Sequence, residues 1–390
     1  MAGTLLFAGF PARAENPDSG SEAAPAGSDF KIFGRVVADY AAASGDNTAF
    51  DISSGELRTA RIGLTGKIYD RVKVKAELSI DDDGDAMLTD AYAEYNIGRP
   101  KIRIGQFKTP NSLDEAASSR FISTHERSAF TDAFALDRRV GAAILEENDR
   151  YSYLLGVFAQ NIEGDTFGGY AIAGRFTYSP QLGSDDLQTH FGVSARYRNV
   201  GADQSLIRYR QRPITHIPGR IIATDRIAGS DFFIGFETAV TKGGFWASGE
   251  YALTVPDCDL CPDNATLSGG YIDAGFIWKG ERKIKGARFD RPTVFRGVDE
   301  GGPGAFAFVV RVDTIDLQGA SIDGGAYDSY TIGADWWPTS HIRLGVNGFI
   351  IDADLGDTAN GLDAAFADAV LAGIREETVR GVTLKAQIDF

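Results

Sequence analysis

The chain of 390 residues has only 2 Cys, 2 Met and 4 His, and these scarcities remove whole classes of chemistry. The histidines, His125, His190, His216 and His341, show no H-E-x-x-H or other ligand spacing. No G-x-S-x-G elbow is present. The cysteines stand together as Cys258-Asp-Leu-Cys261. A zinc site would need further ligands and a redox pair would need a thioredoxin-like βαβ pattern, and neither surrounds them. The favoured reading is a local disulfide stapling an exposed loop in an oxidising compartment. No stretch reaches the ~18–20 consecutive apolar residues of a membrane helix. Basic residues are also in deficit, 39 against 54 acidic ones for a net charge of -15, which argues against a nucleic-acid partner. Asp81-Asp82-Asp83-Gly84-Asp85 resembles a calcium loop, but that register needs an acid where Ser79 stands, so it reads as a solvated loop tip. Gly301-Gly302-Pro303-Gly304 precedes a strand and not a helix, so it offers no phosphate cradle. No cofactor is implied.

What the chain does contain is strict alternation. In its last stretch Val382, Leu384, Ala386, Ile388 and Phe390 take one face, and Thr383, Lys385, Gln387 and Asp389 the other. Val72, Val74, Ala76, Leu78 and Ile80 likewise oppose Arg71, Lys73, Lys75, Glu77 and Ser79. The pattern recurs along the whole chain, and it describes strands with grease on one side and water on the other. Only helices and closed barrels satisfy their backbone in lipid. With no membrane helix available, a membrane chain of this pattern is a barrel. The mean hydropathy of -0.15 is compatible with that, because a barrel needs one apolar face only.

Sixteen strands are expected, near 30–41, 56–69, 71–80, 88–97, 100–108, 139–147, 151–160, 169–179, 188–198, 231–241, 243–253, 270–279, 304–315, 327–337, 341–352 and 378–390. An even number brings both termini to one side. Connections alternate between short turns and long loops (109–138, 199–230, 353–377), as periplasmic turns and outer loops do. The segment 280–303 falls on the short-turn side yet is long and basic. Tyr69, Tyr95, Tyr153, Tyr178, Tyr197, Tyr251, Trp336 and Trp337 fall near strand ends, suiting interfacial girdles. Ahead of the strands, Leu5 to Phe10 and Ala12-Arg13-Ala14 read as a signal-peptide remnant over 1–14, against an unstructured tail. Residues 15–28 read as a flexible leader and 29–390 as the barrel domain.

Several pieces of the chain carry a resemblance. Gly105-Gln106-Phe107-Lys108-Thr109-Pro110, Ser118-Ser119-Arg120-Phe121-Ile122 and Glu126-Arg127-Ser128 are followed by Asp137-Arg138-Arg139-Val140-Gly141. With Asp90-Ala91-Tyr92-Ala93-Glu94-Tyr95, Gly249-Glu250-Tyr251 and the final strand, this ordered set resembles the phosphate-selective porin O and P family from about residue 30 onward. The resemblance implies an all-β, 16-stranded antiparallel transmembrane β-barrel with inward-folded loops. It further implies a homotrimer in the outer membrane of a Gram-negative bacterium, in contact with its lipid, where Arg and Lys guide phosphate or other small anions along a passive channel. The acidity of the whole chain does not oppose this, since a pore feels its lining.

A matching feature is Ile207-Arg208-Tyr209-Arg210-Gln211-Arg212-Pro213. In extended chain, Arg208, Arg210 and Arg212 point one way about 6–7 Å apart. The guanidinium fork binds phosphate oxygens bidentately and stays charged. The row is expected to be the family's basic ladder, on an inward-folded part of the fifth outer loop; the alternative is a solvated basic edge. The family also places lysines at its constriction. Lys73 and Lys75 face inward by alternation, Lys108 opens the inward loop, and Arg61, Lys101, Arg103 and Arg139 share the lumen face, with Arg120 and Arg127 on the loop itself. For each, a wall role paired to carboxylates such as Glu77, Asp90 and Glu94 competes with a pore role. A general diffusion porin, or a barrel-form enzyme or surface-binding protein, is the competing function.

Overall fold

The computed structural model describes residues 29–80, 84–162, 169–183, 186–201, 205–257, 265–319 and 321–390. The signal remnant at 1–14, the leader at 15–28 and the Cys258–Cys261 disulfide therefore lie outside the described residues. The first nine strands are β1 (Asp29–Gly45), β2 (Ile52–Ile68), β3 (Val72–Ile80), β4 (Ala86–Asn96), β5 (Lys101–Lys108), β6 (Arg138–Glu147), β7 (Tyr151–Phe158), β8 (Tyr170–Tyr178) and β9 (Leu187–Asn199). The short β10 (Arg210–Gln211) and β11 (Ile222–Ala223) form a hairpin of their own. The wall continues with β12 (Ser230–Lys242), β13 (Phe245–Asp257) and β14 (Leu267–Trp278). A second small hairpin, β15 (Gly280–Glu281) and β16 (Thr293–Val294), precedes β17 (Ala305–Gly319), β18 (Ile322–Thr339), β19 (Ile342–Asp354) and β20 (Glu376–Asp389).

Sixteen of these strands close into one antiparallel barrel, every neighbour in sequence order and β20 returning to β1. At the seam Gly34 and Phe390 exchange both backbone hydrogen bonds, at 3.1 and 3.0 Å. Closure leaves no open edge, which in lipid would cost several kcal/mol per unpaired group. The alternation is inside out relative to a soluble protein. On β20, Leu384 and Ile388 are exposed outward while Thr383, Lys385, Gln387 and Asp389 are buried inward. Ile272 and Ile332 on β14 and β18 are likewise bare, as a lipid-facing band requires.

Several strands outrun the sequence reading at their outer ends. β1 pairs with β2 as far as Ala43↔Ile52, and β18 begins at Ile322. There the outward residues are no longer apolar, so the alternation fades although the hydrogen bonding continues. One aromatic is corrected. Trp337 points inward and is only 2% exposed, because strict alternation puts it on the same face as buried Asp335 and opposite to Trp336.

Three connections fill the interior. The third outer loop, L3 (109–137), carries helices α1 (Leu113–Ala116) and α2 (Ala129–Ala133). The fifth, L5 (200–229), carries β10 and β11. The sixth periplasmic turn, T6 (279–304), is the long basic segment, and it also folds inward: Phe289 and Arg282 are buried among Trp246, Phe121 and Trp337. The eighth outer loop, L8 (355–375), lays α3 (Ala364–Leu371) across the mouth, stacking Phe366 on Phe50 at 4.7 Å.

Candidate functional site

L3 is held by the wall opposite the open lumen. Glu250 of β13 accepts from the backbone N–H groups of Leu113 (2.9 Å) and Asp114 (2.7 Å) and from the Ser112 hydroxyl (3.1 Å). Asp313 of β17 accepts from the Ala129 N–H at 3.2 Å, at the start of α2. Between them Arg311 bridges Asp114 (3.2 Å) and Asp273 (3.0 Å). These carboxylates meet N–H groups that a helix start leaves unpaired. L3 is thereby pressed to one side, and an open space of about 590 Å³ remains along the inner face of β1–β8, closed below by T6.

Twelve Arg and Lys line this space against six Asp and Glu. Most of the cations are paired along the wall: Arg61 with Glu77 (2.9 Å), Lys75 with Asp90 (2.5 Å), Arg103 with Glu94 (2.6 Å) and Arg138 with Asp90 (2.7 Å). Lys73 lines the space with no carboxylate within ion-pair distance among the described residues. Lys108 and Arg127 brace the loop, sharing Glu115 at 2.8 and 2.9 Å and donating to L3 carbonyls. Arg120 donates to Ser118 Oγ at 3.2 Å and lies 3.7 Å from Asp389.

Arg35 of β1 is a residue that the sequence analysis did not single out. It is 8% exposed, its Nη1 reaches Ser118 Oγ at 3.4 Å, its buried Nε has no partner, and no carboxylate lies within ion-pair distance among the described residues. Arg61, Arg120 and Arg138 lie close enough to repel it. Arg138 was likewise missed. Alternation shows that Arg35 faces the lumen, but only the path of L3 brings it against Ser118.

L5 covers the outer side. Tyr209 and Gln211 turn into the core, and Tyr209 donates to Asp231 at 3.0 Å. Arg208, Arg210 and Arg212 therefore share the opposite face, and none meets a carboxylate within ion-pair distance among the described residues. Arg212 donates to the carbonyls of His216 (2.6 Å) and Pro218 (3.2 Å). The three arginines are not among the residues lining the 590 Å³ space. Arg139 is also outside that space, 3.9 Å from Asp137.

A closed barrel with a lipid-facing exterior and a loop-narrowed, charged lumen is an outer-membrane porin, a channel of the Gram-negative outer membrane. The family model for phosphate-selective porin O and P matches residues 30–373, and the chain belongs to that family. Porin O of Pseudomonas aeruginosa is 25% identical over 372 residues, covering 83% of this chain and 80% of that protein. An uncharacterized protein of Caulobacter vibrioides is 29% identical over 341 residues, covering 83% and 68% respectively. Among solved structures, an anion-selective porin from Comamonas acidovorans superposes with a TM-score of 0.56 at 14% identity, over 93% of this chain and 100% of that one. OmpT of Vibrio cholerae, in its trimer form, gives 0.55 at 10% identity over 93% and 99%. At such identities the structural likeness speaks for the fold alone.

Proposed function

We propose that this porin is a passive anion channel whose first solute is phosphate or a related oxyanion, working as a homotrimer. The observation that carries the reading is Arg35, a buried guanidinium lining the open space of the lumen, with no carboxylate within ion-pair distance among the described residues. A mobile anion supplies the missing countercharge. Its fork suits an oxyanion better than a spherical halide. The L5 row hands anions toward it, and the paired cations of β2–β6 keep the wall basic without trapping the ion, as conduction demands. The family description, and the names of the Comamonas porin and the OmpT trimer, agree with anion passage and threefold assembly. Maturation by cleavage before Glu15 belongs to the same reading, and N-terminal sequencing of the protein from outer membranes checks it.

Planar-bilayer recording tests the proposal. A reversal potential with anion preference in a potassium chloride gradient, and block of chloride current by added phosphate, are expected. Cation preference overturns it. Anion preference without phosphate block reduces the protein to a general diffusion porin, and absence of ion-selective steps returns the enzyme or surface-binding readings.

A further inference from the structure

In the β1–β20 ladder Arg35 stands directly opposite Asp389. Cross-strand partners share a face and lie close enough to pair, yet they form no ion pair. Asp389 is drawn the other way. Its Oδ1 accepts from Arg291 Nη2 of T6 at 2.6 Å and lies 3.0 Å from His341 Nδ1, while Oδ2 lies a loose 3.7 Å from Arg120. The carboxylate is wholly buried. Arg291 is itself fixed, donating to the Ser340 carbonyl and lying 4.8 Å from the ring of Phe121, the residue after Arg120. T6 thus reaches up from the periplasmic side and takes hold of the wall carboxylate that stands opposite Arg35 in the ladder and beside Arg120, while Glu77 acts on both arginines only from beyond ion-pair distance.

We infer that Arg291 is a specificity-determining residue: by sequestering Asp389, the periplasmic turn leaves Arg35 unpaired and Arg120 only loosely paired, and so keeps both available to anions. Remove Arg291, and Asp389 is free to swing toward Arg120 and Arg35, both within side-chain reach, lowering the positive potential where an anion must pass. Remove the Asp389 charge, and the potential rises whether or not Arg291 is present. The two residues therefore act on selectivity with opposite signs. A purely structural contact would not do this, since breaking it from either end would disturb L3 in the same direction.

The inference rests on the anion-channel reading. The wild-type reversal potential tests that reading alone, whereas differences between variants test Arg291 and Asp389. The experiment compares wild type, R291Q, D389N and the double variant as full-length protein in planar bilayers, after heat-modifiable mobility has confirmed folded barrels. R291Q should lower the chloride-to-potassium permeability ratio about two- to fivefold, and D389N should raise it by a similar factor, the size of one unit charge acting across a few ångströms of wet pore. In the D389N background R291Q should change the ratio far less than in wild type. The inference is overturned if R291Q leaves the ratio unchanged, if both single variants move it the same way, or if R291Q is as effective without the Asp389 charge. Should D389N fail to assemble, H341Q replaces it. Loss of that second donor should also lower the ratio, and an unchanged ratio in both R291Q and H341Q overturns the inference.

Discussion

Glu250 and Asp114 are joined through the backbone: the Glu250 carboxylate receives the Asp114 N–H at 2.7 Å, buried between the barrel wall and the first turn of L3. With the Leu113 N–H and the Ser112 hydroxyl it forms one end of the mooring that fixes where the loop crosses the lumen. Glu250→Ala leaves these buried neutral donors unpaired, at a cost of about 1–3 kcal/mol for each one that water cannot reach. The barrel, held by its own ladder, should persist. Single-channel recordings should show rapid flicker, and L3 should become cleavable by added protease; steady currents with a protected L3 would refute the mooring.

The L5 row gives the second prediction. Three cations side by side repel one another by about 0.5–1 kcal/mol per neighbouring pair in a wet setting, and no carboxylate relieves Arg208, Arg210 or Arg212 within ion-pair distance among the described residues. Replacing all three by Gln should leave folding and trimerisation intact and weaken phosphate block of chloride current. Unchanged block would make the row a solvated edge, and selectivity would then fall to Arg35, Lys73 and Arg120 in the lumen.

Lys108 and Arg35 separate bracing from attraction. Lys108 donates to the Glu115 carbonyl at 2.5 Å as well as pairing with its carboxylate, so Lys108→Gln should alter conductance more than any single L5 arginine. Arg35→Gln should instead depress the anion preference with little change in channel noise. The reversal potential and the current variance, read from the same recordings, distinguish the two.

A fourth prediction concerns acidity. Burial, above all, draws the His125 ring down from 6.5 to about 4; Asp335 opposes this, and Lys385 and Arg343 reinforce it. The ring Nδ1 is 2.7 Å from the Thr383 hydroxyl. In the unfolded chain this group takes up its proton from about pH 6.5 downward, while in the folded chain it stays neutral to about pH 4. Its contribution is therefore fully present above pH 6.5 and is lost as the pH falls to 4, by an amount on the order of 3 kcal/mol. Thermal unfolding in detergent should ease across that window, and His125→Gln should flatten that part of the profile.

The barrel was legible because its signal is local and repeated. Each strand declares its own lipid face, as Val382–Phe390 does, and sixteen such declarations fix the strand count. The site was less legible because it depends on where loops go. Lys73, Lys75 and Arg61 could be placed inward from alternation, yet nothing in their neighbourhood distinguishes them from Arg35, whose isolation arises from Ser118 83 residues away and from Asp389 being held elsewhere. T6 announced itself only as an oddity, too long and too basic for its side of the barrel. Its purpose requires Phe121 and Asp389 to be seen beside Arg291.

The filling of the interior divides the circumference into two territories. Behind L3 and L5, the inner faces of β12–β20 are packed with Phe130, Phe134, Tyr209, Ile315 and Phe349, much as in the centre of a water-soluble protein. Facing them, β2–β6 present a wet, charge-paired surface to the passing solute. A change in the first territory disturbs architecture; a change in the second rewrites the electrostatic landscape while leaving the scaffold alone. Laboratory evolution confined to the inward positions of β2–β6 therefore has room to alter the cargo, whereas the same number of substitutions across β12–β20 would mostly yield collapsed pores.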